Sequence, residues 1–102
     1  TLPAGTYKIT ASAPAYEVDN HAIKLANITD SSDALIGTTE RINDTSVSQT
    51  RSFICDTLVL TAEKVLELQH RCSQTSSSFG FGNPSNFNVV EIYSIIKIEK
   101  IG

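Results

Sequence analysis

Polar and apolar residues alternate along the stretch from residue 5 to residue 13, which Pro3 and Pro14 bracket. Because successive side chains of a β-strand point to opposite sides of a sheet, this alternation predicts a strand with one apolar and one polar face. The apolar face consists of Tyr7, Ile9, Ala11 and Ala13, and the polar face of Thr6, Lys8, Thr10 and Ser12. We expect the rest of the chain to be organised around this strand.

Five further strands are predicted at residues 21–29, 34–41, 51–60, 62–71 and 89–100. The segment 62–71 also fits a helix, and we predict a strand because the segment is short and lies between strands. The strands 51–60 and 89–100 are apolar on both faces, which is typical of strands that are covered on both sides. In strand 51–60 the two faces are Phe53, Cys55 and Val59 against Ile54, Leu58 and Leu60.

Six strands without a convincing helix predict an all-β protein, built as an antiparallel sandwich or barrel. A chain of 102 residues is expected to form one domain, residues 1–102. Its net charge of −3 without a basic cluster argues against a nucleic-acid partner, and its short apolar runs argue against membrane insertion. No apolar leader opens the sequence at Thr1, so we expect a processed or excised part of a longer protein.

Residues that could bind metal are few. His70 and Cys72 share one face of the fifth predicted strand, and only His21 could supply a second imidazole. We therefore predict no metal site and no cofactor. A single pair of cysteines, Cys55 and Cys72, is no disulfide framework, and we predict that both are unbridged. The turn at residues 30–33 holds two aspartates but too few oxygen ligands for calcium.

Enzymatic activity is the function that the sequence supports least. A pair of carboxylates could cleave a polysaccharide, and the candidates are Glu17, Asp19, Asp44 and Asp56. No phosphate-binding loop, nucleophile elbow or metal-binding helix is present in the sequence. We predict a protein that is not an enzyme and has no catalytic residues.

Several stretches carry a resemblance to known proteins. Residues 2–7 (LPAGTY), the spaced residues Leu58, Leu60, Lys64, Val65 and Leu68, and the terminal apolar strand resemble core strands of the tumour-necrosis-factor/C1q-like jelly rolls. Residues 11–16 (ASAPAY), 67–71 (ELQHR) and 80–82 (GFG) are similar to head domains of bacteriophage tail-fibre and related virion proteins. The resemblance implies an antiparallel jelly-roll sandwich of which this chain holds the last six strands, with the N-terminal strands missing.

The resemblance also implies an assembly. The first, fourth and sixth predicted strands would form an inner sheet, and the second, third and fifth an outer one. The inner sheet would hold a homotrimer, with Phe53, Tyr93 and Ile95 at the trimer interface. The missing opening strands would leave sheet edges that other residues must cover.

The function implied is that of a non-enzymatic trimeric head or tip domain of a phage tail fibre, located in the virion, which attaches to a host-cell surface glycan or protein. Because antiparallel strands alternate in direction, the connections 15–20, 42–50 and 73–88 are expected to meet at one end. The predicted receptor-binding residues at this end are Tyr16, Asn20, Asn43, Ser77, Phe79, Phe81 and Asn83. Aromatic faces beside amides and hydroxyls suit a saccharide or a protein epitope.

Three alternatives stay open at this point. The protein could be a secreted, complement-like binding domain of a cell, or a structural cap that only holds a trimer together. Phe79 and Phe81 could also fold inward and close the end of the sandwich, instead of contacting a receptor.

Overall fold

The computed structural model describes residues 1–16, 18–42, 49–73 and 80–102. All regular secondary structure within these ranges is β-strand. The strands are β1 (Gly5–Tyr16), β2 (Asp19–Asn27), β3 (Ser32–Ile36), β4 (Glu40–Ile42), β5 (Gln49–Leu60), β6 (Leu66–Cys72) and β7 (Ile95–Lys100). In the same ranges, no helix has the length and apolar character needed to cross a membrane.

The strands form two antiparallel sheets. In the first, which we call the β1 sheet, β1 lies between β5 and β7. In the second, the β2 sheet, β2 pairs with β6 along one edge and with β3 and β4 along the other. The protein is therefore all-β, as predicted, and its two sheets are compatible with a β-sandwich. The strands divide between the sheets as the resemblance implies.

The core lies between the inward faces of the two sheets. Ile9 at the centre of β1 is completely buried, and the apolar face predicted for this strand is confirmed. The buried core residues are Tyr7, Ile9, Ala11, Ala13, Ile23, Leu25, Ile54, Leu58 and Leu60. Full burial of one such aliphatic side chain contributes about 1.5–3 kcal/mol. In β5 the face with Ile54, Leu58 and Leu60 is buried and the face with Phe53, Cys55 and Val59 is exposed, so the chain by itself covers only one of the two apolar faces.

Pro14 does not end the first strand, contrary to its predicted role as a bracket, because β1 continues to Tyr16. The amide of Ile101 donates to the carbonyl of Thr6 at 2.8 Å, so the even-numbered residues of β1 turn their backbone groups toward β7. The nitrogen of Pro14 thus points to an edge that β7 does not reach. β7 begins at Ile95, which lies opposite Ser12. A proline is tolerated in a strand at such an edge because no ladder hydrogen bond is lost there.

The same proline explains why the last strand is shorter than predicted. The predicted strand began at residue 89, but residues 89–94 are not strand and β7 begins at Ile95. If the ladder continued, Tyr93 would lie opposite Pro14, which has no N–H to donate to the Tyr93 carbonyl. The guanidinium of Arg51 donates to that carbonyl instead. The prediction is therefore wrong for residues 89–94.

Gly37 divides the predicted third strand into β3 and β4, which share one edge of β2. A Cβ at Gly37 would lie 2.6 Å from the Ile23 carbonyl oxygen, so only glycine fits this close approach. Between its pairing with β3 and its pairing with β4, β2 has a gap in its hydrogen bonds along this edge. Ser52 of β5, which is fully buried, fills that gap. Its hydroxyl accepts a hydrogen bond from the Ile23 amide at 3.0 Å and donates to the Thr38 carbonyl at 2.6 Å. Ser52 thus ties the two sheets together along this side.

The remaining differences concern strand ends. The predicted strand 21–29 is β2, shifted toward the N-terminus because the Asn27 side chain accepts from the Asp30 amide and starts the turn there. The ambiguous segment 62–71 is a strand, as predicted, but it runs over Leu66–Cys72. Residues 61–65 form the connection, in which the Val65 amide donates to the Thr29 hydroxyl.

Candidate functional site

One end of the molecule collects five strand ends. β1 ends at Tyr16, β2 begins at Asp19, β4 ends at Ile42, β5 begins at Gln49 and β6 ends at Cys72. We call this the loop end. Four of the predicted receptor-binding residues lie there: Tyr16, Asn20, Phe81 and Asn83. The other three, Asn43, Ser77 and Phe79, lie outside the described residues.

Backbone contacts hold the segment that carries Phe81. The Tyr16 amide donates to the Gly80 carbonyl at 3.0 Å, on the edge of β1 that β7 leaves open. On the other side of Phe81, the Asn83 amide donates to the Gln49 side-chain carbonyl at 2.8 Å. Phe81 therefore lies between two points at which the segment is attached to the strands.

Gly82 is required at its position for two reasons. Its φ of +145° is rarely adopted by residues with a side chain, and a Cβ there would lie 2.1 Å from the ring of Tyr93. The ring of Tyr93 thus covers the backbone next to Phe81. This places Tyr93 at the loop end, and it supports the segment that carries Phe81.

Phe81 is half-exposed, with 55% of its surface accessible. Its ring contacts that of His70 on β6, with ring centroids 5.0 Å apart and the planes tilted by 44°. The ring therefore neither folds fully into the sandwich nor extends freely into solvent. The alternative in which Phe81 closes the end of the sandwich therefore holds only in part, because the ring is covered where it contacts His70 and exposed elsewhere.

Below Phe81, two histidines form a pair between neighbouring strands. His21 Nδ1 lies 2.9 Å from His70 Nε2, and His21 Nε2 lies 2.7 Å from the Thr50 hydroxyl oxygen. Either tautomer of His21 satisfies this chain, because the hydroxyl can donate or accept. The three side chains therefore form one continuous hydrogen-bonded row across the loop end.

Both histidines are held in the neutral form. Burial, with a smaller effect from the neighbouring His21, lowers the pKa of His70 to about 4. Burial also lowers the pKa of His21, against an opposing effect of Glu40. At least one of the two rings must be neutral, because two imidazolium ions would present N–H groups to each other and could not form the hydrogen bond.

This pairing was not predicted from the sequence. The resemblance assigns the strands of His70 and His21 to the same sheet, but a contact between the two residues was expected only as part of a metal site. The register Ile23↔His70 and His21↔Cys72, which brings the two rings together, is a property of the folded sheet. Within the described ranges no group of three or more potential ligands could hold a metal ion.

Three of the aspartates that could supply metal ligands or a catalytic carboxylate form ion pairs: Asp19, Asp30 and Asp33. Asp30 Oδ2 lies 2.8 Å from Lys64 Nζ, and Asp33 Oδ1 lies 2.8 Å from Lys24 Nζ. Both aspartates of the turn at residues 30–33 therefore have lysine partners. Lys64 lowers the pKa of Asp30 through its hydrogen bond. Asp19 Oδ1 lies 3.0 Å from Arg41 Nε.

Glu17 and Asp44 lie outside the described residues, and Asp56 is exposed on β5. Cys55 and Cys72 are free thiols, on different sheets.

Two of the three residues predicted for the trimer interface share one surface. Phe53 on β5 and Ile95 on β7 lie on either side of Ser12 in the register of the β1 sheet, on its outward face. Their exposed fractions are 50% and 51%. We call this surface the β1 outer face. Tyr93 does not belong to it, because its ring lies against Gly82 at the loop end.

A depression of about 690 Å³ opens on the other side of the molecule. It lies over β2 and β6, and the side chains of Lys24, Glu67, Gln69 and Arg71 contribute to its lining. Gln69 donates to Glu67 at 2.8 Å within this surface. Besides His70, which also lines it, the depression offers charged and amide groups, whereas the loop end presents the ring of Phe81.

The class of protein that these features define is an all-β domain with two antiparallel sheets, an aromatic residue held at one end and two large apolar residues, Phe53 and Ile95, exposed on an outer face. No protein-family model matches this sequence, and no curated protein and no solved structure is significantly similar to it.

Proposed function

We propose that this protein is a non-enzymatic, homotrimeric head domain of the jelly-roll type, carried at the tip of a phage tail fibre or a related virion protein. Its loop end recognises a glycan or a protein on the host-cell surface. The observation that carries the proposal is Phe81, a half-exposed ring held in place on His70 and between two backbone attachments.

A fixed aromatic ring is suited to recognition because little conformational entropy is lost when it is covered by a ligand. Its apolar face packs against a sugar ring or an apolar side chain, while neighbouring amides supply hydrogen bonds. Asn20 and Asn83 are exposed at the same end and carry such amides. The loop end thus combines an apolar surface with polar groups, as binding hot spots do.

Support for the trimer comes from the β1 outer face. Phe53 and Ile95 are large apolar residues that a monomer leaves half-exposed, and covering them in an assembly removes apolar surface from water. The agreement between the sheets and the division implied by the resemblance supports the jelly-roll type. In a trimer built on this face, the three loop ends would point the same way.

The recognition step is tested by replacing Phe81 with alanine and measuring binding to host cells, together with the melting temperature. We expect binding to fall at least tenfold, while the melting temperature changes by no more than a few degrees because the ring is half-exposed. Phe87→Ala is the matched control, since this phenylalanine is 79% exposed. Gln69→Ala tests the depression on the β2 sheet in the same assay.

Equal binding by Phe81→Ala and the wild type would contradict recognition by the loop end. A loss caused by Gln69→Ala instead would move the receptor site to the depression. A large drop in melting temperature for Phe81→Ala would show that the ring acts mainly as core.

The trimer is tested by light scattering on the wild type and on Phe53→Glu. We expect at least three times the chain mass of 11.0 kDa for the wild type, and a smaller species for the variant. Ile36→Glu is the control, because Ile36 is exposed on the β2 sheet, away from the β1 outer face. A wild-type protein that stays monomeric, or equal masses for all three, would contradict the trimer.

A further inference from the structure

The backbone of β7 has one unused edge in the part of the chain that the structure describes. β7 pairs with β1 only, and the Ile101 amide donates to Thr6 on that side. Because backbone groups alternate between the two sides of a strand, the odd-numbered residues of β7 face β1. The N–H and C=O groups of Ile96, Ile98 and Lys100 therefore point outward, along an edge without a proline.

The side chains around this edge are apolar and exposed. Ile96 and Ile98 lie opposite Ala11 and Ile9 in the register, so they belong to the inward face of the β1 sheet. They nevertheless remain 42% and 43% exposed, in contrast to Ile9, which is fully buried. An open edge flanked by exposed apolar residues is a template for pairing with another strand.

We propose that the occupant of this edge is β7 of a second copy of the chain, paired antiparallel about a two-fold axis at Ile98. The central residues of β7 are self-complementary in this register. Lys97 lies opposite Glu99 of the second copy, and Glu99 opposite its Lys97. Ile98 lies opposite Ile98, Ile95 opposite Ile101, and Ile96 opposite Lys100. Both charge pairs are on the outward face, where their own chain leaves Lys97 and Glu99 exposed.

The hydrogen-bond pattern agrees with this register. Ile98 and its counterpart form a hydrogen-bonded pair, using the groups that point outward. Lys97 and Glu99 then form the intervening non-hydrogen-bonded pair, in which side chains approach more closely.

Other two-fold registers are disfavoured. An axis at Lys97 would place two lysines opposite each other, and an axis at Glu99 would do the same with two glutamates. An axis between two residues would pair inward with outward side chains, because a shift by one residue exchanges the faces of a strand. Of these registers, only the axis at Ile98 places Lys97 opposite Glu99 and Ile98 opposite Ile98.

The resulting contact joins two β1 sheets into one sheet of six strands. Its hydrogen bonds form along a backbone edge, whereas the proposed trimer covers Phe53 and Ile95 from outside the sheet, so the inference does not depend on the trimer. A protein that forms only the edge contact has twice the chain mass of 11.0 kDa. A protein that forms both contacts assembles beyond the trimer.

The test is a charge exchange followed by sedimentation velocity over a concentration series. Lys97→Glu places two pairs of glutamates across the edge, and Glu99→Lys places two pairs of lysines. Each single change is expected to weaken the two-fold contact about tenfold or more. The double variant K97E/E99K restores opposite charges and is expected to return to within about threefold of the wild type. Arg71→Glu changes the net charge as Lys97→Glu does, on the other sheet, and is the control.

Melting temperatures of the variants establish that each one is folded. The proposal is overturned if the wild type shows no two-fold association at any concentration, if the single variants associate as the wild type does, or if the double variant is as weak as the singles. These results differ from failure of the trimer, which appears as an unchanged mass for Phe53→Glu.

Discussion

Acidification from about pH 7 to about pH 5 is expected to destabilise the fold through His70. The pKa of this residue is lowered from 6.5 to about 4 by burial and by the neighbouring His21. In the unfolded chain the imidazole therefore binds a proton in this range, while in the folded protein it does not. Because the unfolded state takes up more protons as the pH falls, the free energy of unfolding decreases. The stabilisation is complete above pH 6.5 and is lost as the pH falls toward 4.

The magnitude follows from the two pKa values. A fully buried group with these values would lose about 1.8 kcal/mol of stability between pH 7 and pH 5. His70 is only half-buried, and solvent screening reduces the expected loss to about 1 kcal/mol. For a domain of this size, such a loss lowers the melting temperature by about 5 °C. His21, whose pKa is also lowered, acts in the same direction.

The assay is urea unfolding followed by circular dichroism at several pH values, for the wild type and for His70→Gln. Glutamine keeps a hydrogen-bonding group near His21 but does not titrate, so the loss of stability on acidification should be smaller in the variant. Asp30 and Glu91 do not interfere, because their pKa values are lowered and both stay ionised in this range. A wild type that is equally stable at both pH values, or a variant with an undiminished loss, would refute the reasoning.

Ser52→Ala is expected to cost about 1–3 kcal/mol, measured by urea unfolding, because it leaves buried backbone groups without partners, whereas Thr57→Ala on an exposed part of β5 should cost little. Gly37→Ala should destabilise by about 1–3 kcal/mol, seen as a lower melting temperature, because its Cβ would overlap backbone that cannot move freely. Cys55 should react quickly with a thiol reagent in the folded protein and Cys72 more slowly, since the first is exposed and the second half-buried; equal rates would contradict these positions.

The candidate site shows what sequence patterns can indicate. The strand pattern predicted that Tyr16, Asn20, Phe81 and Asn83 lie at one end of the molecule, and they do. The physical reason is that strand directions determine which connections share an end. The hydrogen bonds that hold Phe81, from Tyr16 to Gly80 and from Asn83 to Gln49, join residues far apart in the chain. No local pattern specifies such partners.

The sequence by itself determined which residues face the core in β1, and it predicted that the chain is all-β. The physical reason is that strand side chains alternate with a period of two, so the pattern of apolar residues along the chain specifies the buried face directly. Tertiary structure alone decided where β7 begins, since that depends on Pro14 across the ladder, and it alone brought His21 against His70. Both depend on the register between strands, which is set by the packing of the two sheets.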